Sequence, residues 1–241
     1  MGRISNKKKE ELRKKKKLII GSSVVILLIM LFSIYKGLLI YRYYIDEYCD
    51  MKYYDDLDID IKSVDGNIKY HNISFKTDDN FILADTMNDL EYPVDMYGID
   101  GSLDKAYFTI AIRDRLSMLE DYFEDEYIKY KDLLNKYDIE SEIDVIEYYL
   151  ENREEKPGIF TSLSTLKMNY FARGYFSVVC VGDTLYMFDG DLDGYMYADD
   201  NFYHVVLEED NDIYLLTFTN RDEEYFNLNN VLDIIRTINF E

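Results

Sequence analysis

In the stretch FDGDLDGYMYADD (188–200), three aspartates stand at alternate positions and a glycine follows: Asp189, Asp191, Asp193 and Gly194. Calcium loops of the EF-hand type place oxygen ligands at their first, third and fifth positions, glycine at the sixth and a bidentate glutamate at the twelfth. Counted from Asp189, the twelfth residue is Asp200, one methylene shorter than glutamate. The flanks LYMF and YMY look like strands, where an EF-hand needs helices. A Gly- and Asp-rich connection between two strands calls for the same letters. The expectation is therefore a polar turn. Calcium held by Asp189, Asp191, Asp193 and Asp200 is the competing chemistry.

Other chemistry is sparse. The chain has two histidines, His71 and His204, and two cysteines, Cys49 and Cys180. His204 lies in the alternating run FYHVVLE and reads as a structural imidazole. Cys180 lies in an apolar run, where a thiol is ordinarily inert. A serine or cysteine nucleophile needs a partnered base and an orienting acid, and no G-x-S-x-G, P-loop, H-E-x-x-H or paired C-x-x-C occurs. Paired carboxylates can hydrolyse glycosides, but 48 Asp and Glu residues single out no pair. The expectation is a non-catalytic protein without a cofactor. A surface hydrolase would show clustered carboxylates around His71 or His204. Two cysteines allow one disulfide without requiring it, and the position of Cys49 in a stalk-like segment weighs against the bond.

Charge is divided unevenly along the chain. Residues 1–17 carry Arg3, Lys7, Lys8, Lys9, Arg13 and Lys14 through Lys17 against Glu10 and Glu11, a net +7, while the whole chain carries −21. The remainder therefore holds about −28. Such a body does not suit nucleic acid, whose phosphates need Lys and Arg, and anionic lipid surfaces repel it. Basic proteins or cations fit it better. The 25 Tyr, 13 Phe and many Ile and Val exclude a disordered chain. Scarce Ala with abundant Ile, Asn, Lys and Tyr points to an A+T-rich genome of bacterial type.

Between the two lies LIIGSSVVILLIMLFSIY (18–35), which contains no charge. At about 1.5 Å per residue it spans about 27 Å, close to a bilayer core of about 30 Å. The run resumes as GLLIY, with Lys36 snorkelling and Tyr35, Tyr41, Tyr43 and Tyr44 forming an aromatic belt. A cleaved signal would have a shorter apolar core and small residues at its cleavage site. The expectation is an uncleaved helix through the lipid bilayer over 18–41. By the positive-inside rule it leaves 1–17 in the cytoplasm and the C-terminal part outside the plasma membrane.

Residues 42–56 read as a stalk, and 57–241 as an acidic α+β domain. NIKYHNISFK (67–76) alternates and, through the turn TDDN, forms an expected hairpin with FILAD. KAYFTIAIRDR (105–115) reads as a strand buried on both faces. Apolar residues from Leu116 to Tyr137 recur at three and four, as in a helix, and Glu142–Asn152 repeats the pattern. Residues 160–182 read as helix to about Gly174, then strand. TLYMFD, GYMYA, FYHVVLE and DIYLLTFT form an expected meander, and FNLNNVLDIIRTINFE a helix with a short last strand.

This order, carried by NISFKTDDNFIL, AYFTIAIRD, FYHVVLEEDNDIYLLTFTN and VLDIIRTINF, resembles the PsbP/Mog1-like fold over roughly residues 65–241. The resemblance implies an antiparallel sheet covered by helices and a non-enzymatic adaptor or assembly factor. A shared fold carries over no particular partner. The expectation is thus a single-pass, N-in anchor presenting a domain that binds an unnamed protein. A calcium-responsive surface module is the other alternative.

Overall fold

The structure is a computed structural model that describes residues 2–43, 50–53, 67–77, 81–88, 92–115, 119–120, 127–158, 160–180, 184–188, 191–199, 201–221 and 225–241. The chain divides into two units, one of residues 1–46 and 155–171, the other of 47–154 and 172–241.

The first unit is dominated by α1 (Gly2–Tyr43). Arg13–Tyr41 is apolar enough and long enough to cross a membrane or serve as a signal anchor, and none of it is buried within the protein. A soluble helix hides its apolar stripe against a core. Here Leu18, Ile26, Leu28 and Leu38 all remain more than half exposed, so in water nothing compensates the apolar surface.

The second unit is an α+β domain. Its large sheet runs β1-β7-β8-β9-β10-β6-β5-β4, and a small sheet runs β11-β3-β2. In chain order the strands are β1 (Asp50–Tyr53), β2 (Ile68–Tyr70), β3 (Ile73–Phe75), β4 (Phe81–Met87), β5 (Val94–Ile99), β6 (Ser102–Asp114), β7 (Thr184–Phe188), β8 (Asp193–Asp199), β9 (Phe202–Glu209), β10 (Asp212–Asn220) and β11 (Asn239–Phe240). Every neighbour pair in the large sheet is antiparallel except β1 with β7. The helices that follow α1 in the chain are α2 (Tyr127–Lys136), α3 (Glu142–Asn152), α4 (Leu163–Val179), whose residues 163–171 fall in the first unit, and α5 (Leu228–Ile235).

Period-two alternation in the long strands sends side chains to both faces. On one face Ala106, Phe108, Ile110, Met196, Val205, Leu207, Leu216 and Phe218 join Ile73, Phe75 and the α5 residues Val231, Leu232 and Ile235 in a single core. Phe108 is its hub, with ring centroids 4.9 Å from Tyr97, 5.2 Å from Phe81, 5.5 Å from Phe75 and 5.8 Å from Phe218. On the opposite face Leu185, Met187, Val206 and Ile213 are buried. There Tyr149 of α3 packs on Phe176 of α4 with centroids 4.4 Å apart.

Most expected elements stand where the periodicity puts them, α3 with the same limits; of the helix expected over 116–137, residues 116–118 and 121–126 lie outside the described residues and Tyr127–Lys136 is α2. Three differ. The hairpin lies inside 67–76: β2 pairs with β3 across the turn at His71 and Asn72, and β4 pairs with β5 instead. His71 adopts a left-handed φ of 50°, which closes a tight turn at once. β3 takes β11 as its second neighbour. Helix α4 continues through Gly174 to Val179, because Tyr175 and Phe176 gain burial as helical residues; tertiary packing overrides the strand propensity of Val178 and Val179. Finally, the stalk-like segment contributes β1, paired in register with Asp50 opposite Thr184. Against the expectation from the stalk, Cys180 is disulfide-bonded. The sequence holds one other cysteine, Cys49, which precedes β1.

Candidate functional site

Two short sequence rules build the site. Ser141 caps α3: its Oγ accepts from the Asp144 backbone N–H at 3.1 Å, while the Asp144 carboxylate accepts from the Ser141 N–H at 2.8 Å and the Glu140 N–H at 2.6 Å. This reciprocal box satisfies donors that a helix start leaves orphaned. It fixes Glu142 as the first helical residue. The strand register supplies the other wall. Asp193 of β8, Glu208 of β9, Ile213 of β10 and Arg113 of β6 form one row across the sheet. Tyr195 and Tyr197 of β8 share that face by alternation.

Glu142 has no solvent exposure. The Tyr175 hydroxyl of α4 donates a short hydrogen bond to its Oε2, and Oε1 has no hydrogen-bond partner. Burial pushes the carboxyl up to about 7; the bonds from Tyr175 and Tyr195 and the charge of Arg113 oppose that rise, and Glu208 adds to it. Burial likewise holds Tyr175 and Tyr195 well above the ordinary phenol range, with the Glu142 charge adding to it. Tyr197 is pushed up to about 12, by burial first and then by Glu142.

Glu208, also buried, lies beside this group. Arg115, at the end of β6, reaches its Oε1 at 2.5 Å and stands 3.6 Å from Glu140 and 3.9 Å from Asp144. Burial raises the Glu208 carboxyl, and a Ser141 hydrogen bond and Arg115 pull it back. Arg113 lies over the Tyr92 ring at 4.4 Å. The ensemble is a buried carboxyl pair, two guanidinium groups and three phenols. It can take up or release a proton near neutral pH at Glu142, because a carboxyl deprived of water resists ionisation.

The two histidines lie in different settings. His71 is exposed in the β2–β3 turn, edge-on to Tyr70. His204 sits between Tyr197 and Phe202, with ring centroids 4.8 and 4.4 Å away, and its Nδ1 is 2.8 Å from Thr217 Oγ1. Burial lowers it to about 4, so it is neutral at ordinary pH. Its immediate partners are two rings and a hydroxyl, and the charge of Asp199 opposes the lowering.

Of the aspartates read from the sequence, Asp189 and Asp200 lie outside the described residues. Asp191 is exposed in a bend and Asp193 is exposed at the start of β8, opposite Glu208. β7 and β8 flank the stretch as an antiparallel pair with Phe188 opposite Gly194. Gly194 has a local reason to be glycine: its φ is 152°, and a Cβ there would lie 2.0 Å from the Val206 carbonyl oxygen. Among the described residues no group of three His, Cys, Asp or Glu could hold a metal ion.

The sequence hid Glu142 rather than withheld it. S-x-x-D over 141–144 announces a cap, but a glutamate at a helix start is ordinarily solvated. Its burial depends on Tyr175 and Tyr195, which are distant in sequence. Comparison with protein-family models, curated proteins and solved structures finds no match for this chain.

Proposed function

We propose that the chain is a single-pass membrane protein whose acidic C-terminal domain lies outside the cytoplasm and acts there as a non-catalytic binding or assembly module, its partner another protein. The single observation that carries this is α1: a membrane-length apolar helix, none of it buried, behind a tip of nine Lys and Arg. The positive-inside rule turns that asymmetry into an orientation. The bonded state of Cys180 agrees with it, because disulfides persist in oxidising compartments and are rare in the cytosol. A PsbP/Mog1-like arrangement would fit an assembly role.

Binding is favoured over catalysis by the character of the polar cluster. Glu142 and Glu208 are both buried, and their neighbours Arg115, Tyr175 and Ser141 hold them as structural groups. The test is cross-linking of the full chain in intact cells, followed by mild solubilisation. A defined cross-linked complex that disappears when residues 57–241 are deleted is expected. A chain that stays uncross-linked, or a hydrolytic activity abolished by Glu142→Gln, would replace this reading with the enzymatic one.

A further inference from the structure

Among the described residues, no strand pairs with the outer edge of β4. β4 closes the order of the large sheet and bonds to β5 alone among the described strands. An edge strand carries a row of backbone donors and acceptors that can template another strand, and proteins ordinarily blunt it with lysine or proline. Residues 77–92, TDDNFILADTMNDLEY, contain no Lys, Arg or Pro. Within β4 itself the edge is interrupted by a bulge between Leu83 and Asp85 and carries one exposed charge, Asp85.

The side chains are as open as the backbone. Ile82 is 47% exposed, Leu83 50% and Met87 40%. Ile82 and Leu83 are consecutive and so point to opposite faces. Phe81, at the start of β4, is held in the core, but the layers over the sheet leave Ile82 and Leu83 about half uncovered. A strand laid beside it would cover apolar side chains on both faces and complete the hydrogen-bond ladder, as in recognition by β-augmentation.

Charge selects the occupant. The same sixteen-residue stretch holds Asp78, Asp79, Asp85, Asp89 and Glu91 and no positive side chain, within a body of strongly negative charge. A second copy would bring like charges face to face, which is costly. We propose that the β4 edge takes an extended segment of a different protein, apolar on one side and rich in Lys or Arg, as an additional strand of the sheet. This deepens the binding-module reading and rests on it.

The probe is a labelled peptide of alternating lysine and valine matched to β4 in length, titrated by fluorescence polarisation against the full chain in detergent. Saturable binding is expected, weakened at least about tenfold by Leu83→Lys and by Ile82→Lys. Both positions are exposed, so neither variant should disturb folding. Methylation of alternate peptide nitrogens, or exchange of lysine for glutamate, should cost as much. Equal binding by the methylated peptide, or by the Leu83→Lys protein, means charge adsorption only and overturns the proposal. So does absence of saturable binding. Concentration-dependent dimerisation abolished by Leu83→Lys would assign the edge to a second copy instead. Stronger binding after deletion of residues 1–17 would assign it to the chain's own basic tip. None of these outcomes depends on membrane orientation, so failure here and failure of the anchoring account are separable.

Discussion

At the scale of single residues, the buried Glu142 and the half-buried His204 oppose one another in pH. The Glu142 carboxyl rises from an ordinary value of 4.5 to about 7 on folding. The folded state then holds a proton that the unfolded chain releases. Its contribution is complete below the unfolded value and is lost as pH rises through about 7. His204 falls from 6.5 to about 4, so its contribution is present above 6.5 and is lost as pH falls toward 4. Glu142→Gln should therefore flatten the loss of stability between about pH 5 and 8, on the order of 2–3 kcal/mol, while leaving the acid limb in place. Chemical denaturation of wild type and variant across that range measures it. Identical slopes would mean that Glu142 ionises freely. The second residue-scale prediction concerns Asp191, which is exposed in its bend. Asp191→Asn should move stability by less than about 0.5 kcal/mol. Millimolar calcium should leave the melting temperatures of wild type and variant alike. A calcium-dependent rise in the wild type alone would establish the metal reading through ligand linkage.

At the scale of elements, strand pairing and cross-linking dominate. Gly194→Ala places a methyl group 2.0 Å from the Val206 carbonyl oxygen at a φ that side chains rarely adopt. The β8–β9 pair must shift, and a loss of about 2–4 kcal/mol is expected by thermal or urea unfolding. A smaller loss than Asp191→Asn would contradict the close approach. Cys180, which follows α4, is disulfide-bonded. Reduction should lower stability by about 3–5 kcal/mol. Unfolding curves with and without reductant, and thiol labelling of the unreduced chain, check this; two reactive thiols without reductant would contradict it.

Legibility in the sequence also varies at this scale. The meander β7–β10 and helices α3 and α5 were readable because each shows a clean period and turn residues at its ends. The hairpin is hard to place from letters because TDDN is the stronger turn signal, whereas the His71–Asn72 turn depends on a left-handed φ at His71 that its residue type does not require. The end of α4 was misplaced because a Gly-Tyr-Phe-Ser-Val-Val run favours a strand locally, and only the burial of Tyr175 and Phe176 decides otherwise. Of the Glu142 cluster only the cap at Ser141 is legible. The cluster draws on α3, α4, β6, β8 and β9, and no spacing in one segment reports a meeting of five.

At the scale of the whole molecule, the chain joins a basic tip, a membrane-length helix and an acidic α+β domain. The opposed charges of tip and body are a liability if both share one compartment, since they attract each other. On opposite sides of a bilayer, as proposed, they would set orientation at one end and partner choice at the other. An anchored domain also meets its partner at a raised effective concentration, so a modest edge-strand affinity can suffice. The account stands or falls on that orientation. Protease added to intact protoplasts bearing a tag at Glu241 and another at residue 2 tests it most directly. The account predicts that the C-terminal tag is digested while the N-terminal tag survives until the membrane is opened. A protected C-terminal tag with an exposed N-terminal one, or loss of neither after release into the soluble fraction, would contradict it.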